Sequence, residues 1–255
     1  MTTAGRRPVS AVVISLNEER NIGVCLESLR WADEIVVVDS GSSDGTPEIA
    51  RRYTDKVFEV PWRGFGPQKQ AAVERASHDM VLNVDCDERV TPELAEEIDR
   101  LLAGEEFAAA YTVPRRTFVG GKEIRHCGWY PDRTTRLFDR TKGRFTADLV
   151  HERVDVSGDT RPLRNPLLHH SFSGIGEMLG KMNRYSDLSA RQMFERGRKG
   201  TVLDLTLRPG FAFFKTYFLR MGFLDGFEGY VISATTAFLT FTKYAKLREL
   251  ERKRS

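Results

Sequence analysis

The chain has 255 residues, enough to bury a sizeable core, and 40% of them are hydrophobic, as is typical of a globular protein. Its formal net charge is only +3, so charge alone does not indicate a nucleic-acid partner, and we predict none. The three cysteines are widely spaced without a CxxC pair, which argues against a disulfide framework and a zinc motif. Because the N-terminus also lacks a leader-type apolar core, we expect a cytoplasmic location.

Strand-like and helix-like segments alternate in the first half of the chain. Apolar runs predict strands at 11–16, 34–39 and 80–85, and a further short strand is predicted at 56–60. Thr46-Pro47 and Thr91-Pro92 each provide an N-cap residue followed by proline at the first helical position. Strands that alternate with short helices predict an α/β fold with a mostly parallel sheet and helices on both faces.

The second half of the chain has a different pattern. After residue 103, short strand-like runs are separated by turn signals such as "VGGK" and "RTKG". A long helix is expected from Ser173. Its predicted buried face consists of Ile175, Met178, Leu179, Met182 and Tyr185.

Two C-terminal segments are apolar but do not reach the length of about 18 to 20 residues that a membrane-spanning helix needs. Segment 209–224 is rich in phenylalanine but contains Lys215 and Arg220, and Gly229–Thr242 is uncharged but too short. From Lys243 onward, the sequence contains six basic residues and only two glutamates. This pattern predicts helices that lie on an anionic membrane surface. A helical hairpin packed on the domain, or an interface in a homo-oligomer, is the alternative.

Acidic and amide side chains follow three of the predicted strands. Asn17 and Glu18 follow the first strand, Asp39 ends the second, and Asp85 and Asp87 end the strand "MVLNVD". Ligands of parallel α/β sheets bind at the carboxyl ends of the strands. A buried carboxylate without a partner is costly, so we expect these groups to be solvated, paired or bound to a cation.

Three chemistries are candidates for this acidic edge of the predicted sheet. A dinucleotide-binding oxidoreductase needs a GxGxxG turn after its first strand, where this chain has "NEERN". A haloacid-dehalogenase-type phosphatase shares the DxD pattern but needs Thr or Val where Arg89 stands. The third chemistry is a sugar nucleotide bridged by Mg²⁺ or Mn²⁺, which bind one or two carboxylates together with phosphates and water.

The segments "VVISLNEERNIGVCLESL", "EIVVVDSGSSDGTPEIA" and "HDMVLNVDCDERVTPEL" together resemble glycosyltransferase family 2, whose nucleotide-binding half has the GT-A fold. Later pieces, "HCGWYPDRTTRLFDR", "DLVHERV" and "LLHHSF", resemble the bacterial lipopolysaccharide core glucosyltransferases. The resemblance implies a catalytic domain over 1–172, with a nucleotide-binding half (1–103) and an acceptor-side half (104–172). A helical, membrane-associating region (173–255) follows it.

The resemblance also implies roles for individual residues. Asn17, Glu18 and Asp39 would line the nucleoside site, with Asp39 accepting a hydrogen bond from the base. Lys69 would contact the base or a phosphate, Asp85 would face the ribose and the metal, and Asp87 would ligate the metal. Beyond the resemblance, Arg136 is a candidate for binding the diphosphate or an anionic acceptor, and His151 and His169 are further candidate metal ligands. Cys86 would point away from the site because strand side chains alternate.

Inverting transfer needs one general base to deprotonate the acceptor hydroxyl. Glu152 is our candidate, with Asp132 and Glu88 as rivals. The structural alternatives are that Asp39 only starts a turn, that Glu152 only pairs with an arginine (Arg153 or Arg136), and that the histidines are ordinary hydrogen-bonded residues.

The predicted function is metal-dependent transfer of a hexose, with glucose as the first choice, from a UDP-sugar to a membrane glycolipid such as lipopolysaccharide inner core. The expected location is the inner face of the bacterial cytoplasmic membrane. A polyprenyl phosphate acceptor, whose anionic nucleophile needs no base, is an alternative. An inactive scaffold that recruits partners at the membrane is another.

Overall fold

The computed structural model describes residues 5–146 and 152–254. The chain divides into two compact units, Met1–Arg115 with Asp132–His169, and Arg116–Pro131 with His170–Ser255. The second unit therefore takes up segment 116–131, which lies N-terminal to the boundary expected at residue 172. The functional division at 172 stays a prediction.

The first unit contains a mixed sheet and four helices in its described residues. Its strands are β1 (Val9–Ser15), β2 (Glu34–Asp39), β3 (Val57–Glu59), β4 (Met80–Asp85), β5 (Glu88–Val90), β8 (Asp132–Asp139), β9 (Gly143–Phe145), β10 (Val154–Val156) and β11 (Thr160–Pro162). The strands β6 (Ala110–Val119) and β12 (Leu167–Phe172) begin in this unit and end in the other. The helices are α1 (Ile22–Glu27), α2 (Thr46–Ala50), α3 (Phe65–Glu74) and α4 (Pro92–Leu102).

The parallel part of the sheet has the order β3-β2-β1-β4 and is formed by the four strands predicted from the first half of the sequence. Beyond β4 the sheet continues as β8-β6-β12-β5, and the pairs β4 with β8, β8 with β6, and β12 with β5 are antiparallel. The prediction of a parallel sheet thus holds for the first half of the chain, and the complete sheet is mixed.

Helices cover both faces of the sheet, as predicted. On one face, Leu26 of α1 and Leu94 of α4 pack with Val13 and Leu82 of the strands. On the other face, α3 contributes alanine and valine side chains to a second buried cluster. Alternation along each strand produces these two cores, because successive side chains point to opposite faces.

The two Thr-Pro signals behave differently. Thr91 is the N-cap of α4, and its Oγ1 accepts a hydrogen bond from Leu94 N at 3.1 Å, as predicted. Thr46 is instead the first residue of α2, and Gly45 precedes it as N-cap. The hydroxyl of Thr46 is engaged elsewhere, since it accepts from Glu18 N at 2.8 Å.

The second unit is mainly helical. It contains β7 (Lys122–Ile124), which pairs with the end of β6, and the helices α5 (Ile175–Glu195), α6 (Val202–Phe214) and α7 (Gly226–Arg254). A π-helical segment (Lys215–Leu219) and a 3₁₀ turn (Gly222–Asp225) connect α6 to α7. None of the helices in the ranges described here combines the length and apolar character needed to cross a bilayer.

The predicted buried face of α5 is wrong in part. Met178 is buried, but Ile175 and Leu179 are 42% and 43% exposed. The buried positions are instead Met178, Ser186 and Ala190, and α5 packs against α7. Lys246 of α7 donates to Ser186 Oγ at 2.7 Å, and apolar residues add to this contact, because Met178 packs with Ile232 and Ala190 packs with Tyr244 and Leu247.

Candidate active site

The loops that follow β1 and β2 are joined by hydrogen bonds at the carboxyl edge of the sheet. Asn17 adopts a left-handed conformation (φ 55°) and its side-chain Oδ1 accepts from Ser43 N at 2.8 Å. Glu18 Oε2 accepts from Asn21 Nδ2 at 2.8 Å. Both residues lie where the sequence placed them and help to shape this loop pair. Their contact with a nucleoside stays a prediction.

Asp39 is buried, and its carboxylate accepts four hydrogen bonds. Oδ1 accepts from the backbone N–H groups of Gly41 (3.0 Å) and Ser42 (2.7 Å), and Oδ2 accepts from the hydroxyls of Ser15 (2.8 Å) and Ser42 (2.6 Å). The turn-forming role is therefore present in the structure. A base N–H would have to replace one of these donors, so the base contact also stays a prediction.

Asp85, at the end of β4, lies between two buried cations. Oδ1 is 2.9 Å from Lys69 Nζ, and Oδ2 accepts from Arg136 Nη2 at 2.7 Å. Burial alone would raise the pKa of Asp85, but the charges of Arg136 and Lys69 hold it well below its usual range. Burial would likewise lower the pKa of Lys69, yet Asp85 and Glu152 raise it above the ordinary value. Asp85, Lys69 and Arg136 therefore form a charge-paired cluster in which the two cations are buried and Asp85 keeps 27% side-chain exposure.

Glu88 belongs to the same network of charged side chains. Its side chain is fully buried and accepts from Arg136 Nη2, from Arg115 Nη1 at 3.3 Å and from Asp85 N at 3.1 Å. These partners enclose Glu88, whereas a general base must contact the acceptor hydroxyl, so its part in catalysis stays a prediction. The other rival, Asp132, pairs with Arg115.

Glu152, the candidate base, lies beside Lys69. Its Oε1 accepts from Lys69 Nζ at 2.9 Å, and its side chain retains 17% exposure. The partner of Glu152 among the described residues is thus a lysine rather than Arg153 or Arg136, of which Arg153 contacts Asp155 and Arg136 contacts Asp85 and Glu88. Lys69 therefore joins two predicted site residues, Asp85 and Glu152, that are 67 positions apart in the chain.

Asp87 and His169 are the predicted metal ligands that the structure brings together. His169 Nε2 of β12 lies 3.5 Å from Asp87 Oδ2. His151 lies outside the described residues. Across the two described ranges, no group of three or more His, Cys, Asp or Glu side chains is arranged to hold a metal by itself.

This donor set suits a cation that obtains its other ligands from phosphate and water, as Mg²⁺ and Mn²⁺ do. Asp87 and His169 fit that requirement. Asp85 fits only when its cationic partners move, because Lys69 and Arg136 already neutralise it.

Cys86, the middle residue of the DxD motif, points into the core as predicted. Its Sγ donates to Ile14 O at 3.2 Å, and burial raises the pKa of this thiol well above its ordinary value. It is therefore an inert core residue.

Sequence reasoning missed two polar residues behind the acidic edge, Asn83 of β4 and Gln68 of α3. Both are fully or nearly fully buried. The available signal was Asn83 itself, an amide in the otherwise apolar run "MVLNV".

Two aromatic residues, Trp129 and Tyr130, belong to the second unit. Trp129 packs against Phe172 with ring centroids 6.3 Å apart, and Tyr130 is 50% exposed. Trp129 is therefore a packing residue in the structure.

Parallel strands ending in carboxylates, helices on both faces and an antiparallel extension define a GT-A-type α/β enzyme. The chain is similar in fold to the crystal structure of S. aureus TarS 1–349 in complex with UDP-GlcNAc, with a TM-score of 0.51 and 16% identity over 95% of this chain and 92% of that chain.

In sequence, the model of the family described as "Glycosyl transferase family 2" matches residues 10–162. The chain is 35% identical to the lipopolysaccharide core biosynthesis glycosyltransferase LpsC of Rhizobium meliloti (strain 1021), over 94% of this chain and 92% of that protein. It is also 32% identical to an uncharacterized glycosyltransferase of Rickettsia felis, over 94% and 89% of the two chains. The chain belongs to glycosyltransferase family 2 and is a glycosyltransferase.

Proposed function

We propose that this glycosyltransferase moves a hexose, with glucose as the first choice, from a UDP-sugar to a hydroxyl group of a membrane glycolipid of the lipopolysaccharide core type. The observation that carries the proposal is the Lys69–Asp85–Arg136 cluster beside Asp87, at the carboxyl edge of the parallel strands. It combines cations for a diphosphate with carboxylates for a divalent metal. The acceptor class is supported by the similarity to LpsC over nearly the whole chain.

In the proposed site, Asp87 and His169 hold Mg²⁺ or Mn²⁺ together with the donor's diphosphate. The bound metal would offset the negative charge that develops on the departing nucleoside diphosphate. Lys69 and Arg136 would contact the same phosphates after leaving Asp85. An oxyanion competes well for both cations, because Arg and Lys form their strongest hydrogen bonds with charged oxygen acceptors.

Glu152 would act as the general base that takes the acceptor's proton. It stays partly exposed, unlike Glu88, and its present partner Lys69 is one of the groups that the diphosphate would attract. Movement of Lys69 toward phosphate would remove a positive charge from Glu152 and so make it a stronger base. A polyprenyl phosphate acceptor would need no such base.

Membrane association is proposed for the second unit because many of its large apolar side chains are exposed. This aromatic surface consists of Val202, Leu203, Leu207, Phe211, Phe214, Phe218, Leu219, Met221, Phe223, Leu224, Phe227 and Tyr230. The ring of Phe218 contacts Phe214 and Tyr217, and Tyr217 contacts Phe223, so the surface has a continuous aromatic part. Large continuous apolar patches mark interaction sites.

A cluster of cations close to α6 favours an anionic bilayer as the partner of the aromatic surface, and within it only Arg208 has an acidic partner among the described residues, Asp204. Arg198, Arg208 and Lys243 lie 5.6, 5.4 and 5.3 Å from the centre of the Tyr244 ring. Burial and the charges of the two arginines lower the pKa of Lys243. Lipid phosphates would relieve this repulsion.

Calorimetry with UDP in the presence and absence of Mn²⁺ tests the donor site. We expect metal-dependent binding by the wild-type protein and at least tenfold weaker binding by Asp87→Ala, because Asp87 supplies a metal ligand. Asp79→Ala, which removes a carboxylate at the opposite end of β4 with 73% side-chain exposure, is the matched control and should bind normally. Absence of binding, or equal binding by Asp87→Ala, would overturn the proposed enzyme site.

A further inference from the structure

Asn83 is a buried amide in the middle of the strand that carries Asp85. Its side chain is 1% exposed and, by strand alternation, lies on the same face of β4 as Asp85 and Val81. That face is covered by α3, the helix that contributes Lys69. Asn83 therefore lies one step deeper in the sheet than the proposed donor site.

Neither polar atom of the Asn83 carboxamide has a hydrogen-bond partner within the described part of the chain. The pairing of β4 with β8 runs from Met80↔Asp139 to Leu82↔Leu137, and Asn83 and Arg136 are the next residue of each strand after the last pair. The Nε–H of Arg136 is also buried and unpartnered. An unused acceptor and an unused donor thus lie on neighbouring strands.

An unpaired buried amide destabilises the folded protein, whereas an apolar residue of similar shape would not. Each such group in a native structure needs an explanation. Stability does not supply one here, since Val and Leu occupy the neighbouring positions of β4 at no such cost. A state of the site in which the amide is paired would supply one.

We propose that Asn83 is a positioning residue for the donor diphosphate, and that its side-chain oxygen accepts the Nε–H of Arg136 when the guanidinium turns from Asp85 and Glu88 toward phosphate. The inference rests on the proposed function. In the described state, Nη2 of Arg136 donates to the carboxylates of Asp85 and Glu88, while its Nε has no partner. When Asp85 is released, Asn83 offers the alternative anchor that fixes the new orientation of the guanidinium.

This role predicts an unusual combination of effects for Asn83→Leu. The melting temperature should rise by roughly 2–8 °C, because an unpaired buried amide is removed. The affinity for UDP with Mn²⁺ should fall about tenfold, because Arg136 loses its anchor in the bound state. In an Arg136→Gln background, Asn83→Leu should leave the remaining affinity unchanged, since the two residues act as one unit.

Asn165→Leu is the matched control. The Nδ2 of Asn165 donates to Glu93 O and to Glu97 Oε2, so its loss should lower the melting temperature and leave UDP binding unchanged. If Asn83→Leu does not fold, Asn83→Val removes the same amide with a residue that suits a strand interior.

The outcomes separate the two proposals. If the wild-type protein binds no UDP, the proposed function fails and the inference fails with it. If the wild type binds and Asn83→Leu binds equally well, only the inference is overturned, and Asn83 then serves a structural water. A loss of affinity that persists unchanged in the Arg136→Gln background also overturns it.

Discussion

The carboxyl edge of the sheet pairs its charged side chains inside the protein, whereas the C-terminal helices leave large apolar side chains exposed. At the sheet edge, Asp85 and Glu88 are enclosed by cationic partners, so the local charges are balanced inside the protein. On the aromatic surface, Phe211 and Phe227 are 61% and 66% exposed. In the proposed function a ligand exchanges with these cationic partners, whereas the aromatic surface leaves large apolar side chains exposed for an external partner to cover.

The largest effect is expected for Glu152→Gln, which tests whether the charged edge performs acid–base chemistry. Turnover should fall by roughly 10²–10⁴-fold, while UDP affinity changes little, because the amide cannot take a proton. Steady-state kinetics with calorimetry measure both quantities. Glu74→Gln, at the exposed end of α3, is the control and should keep full turnover. Full turnover of Glu152→Gln would favour the polyprenyl phosphate acceptor.

The aromatic surface can be tested by replacing Phe211, Phe214 and Phe218 with Ser in the full chain. Flotation with anionic vesicles should show roughly tenfold to 100-fold weaker association, because less apolar area would be buried. The control replaces three exposed apolar residues of α5, Ile175, Leu179 and Leu188, with Ser. Equal loss in both variants would mean that the aromatic surface is not the specific contact.

Gly66→Ala tests the packing that brings Lys69 and Glu152 together. A Cβ at Gly66 would lie 1.9 Å from Thr146 O, so α3 would have to move. We expect a loss of about 2–3 kcal/mol in unfolding free energy, measured by denaturant titration. Gly180→Ala in α5, where a Cβ would meet nothing within 4 Å, should instead stabilise by about 0.5–1 kcal/mol. An unchanged Gly66→Ala protein would contradict this packing.

The smallest effect concerns Glu34, a carboxylate away from the site. Burial alone would raise the pKa of Glu34. Hydrogen bonds from Lys56, Ser10 and Ser77 nevertheless lower this pKa to about 2. A lowered pKa stabilises the fold above pH 4.5, and this contribution is lost as the pH falls toward 2. Glu34→Gln should therefore cost about 1–2 kcal/mol at pH 7, allowing for solvent screening, with the difference vanishing at low pH.

Chemical denaturation across this pH range provides the measurement. Glu48→Gln, which removes an exposed ion pair with Arg51, should change stability by about 0.5 kcal/mol or less at any pH. A gap between wild type and Glu34→Gln that persists at pH 2 would contradict the assigned pKa.

Part of the site could be predicted because it depends on local sequence. The apolar runs and their acidic ends identified β1, β2 and β4 together with Asp39, Asp85 and Asp87. The pairing of Lys69 with Glu152 could not be predicted, because it depends on how α3 packs against a distant segment. The exposed Ile175 of α5 was misassigned for a related reason, since periodicity identifies an apolar stripe but not the neighbour that covers it.

By itself, the sequence determined the parallel α/β half, its helix-start signal at Thr91 and the family to which the chain belongs, since these follow from residue order and short-range periodicity. Only the tertiary structure decided which charges meet. It enclosed Glu88 within arginines, placed Lys69 between Asp85 and Glu152, and left the amide of Asn83 and the Nε of Arg136 without partners in the described residues. Those contacts join residues far apart in the chain, and their energies depend on burial, which residue order alone does not specify.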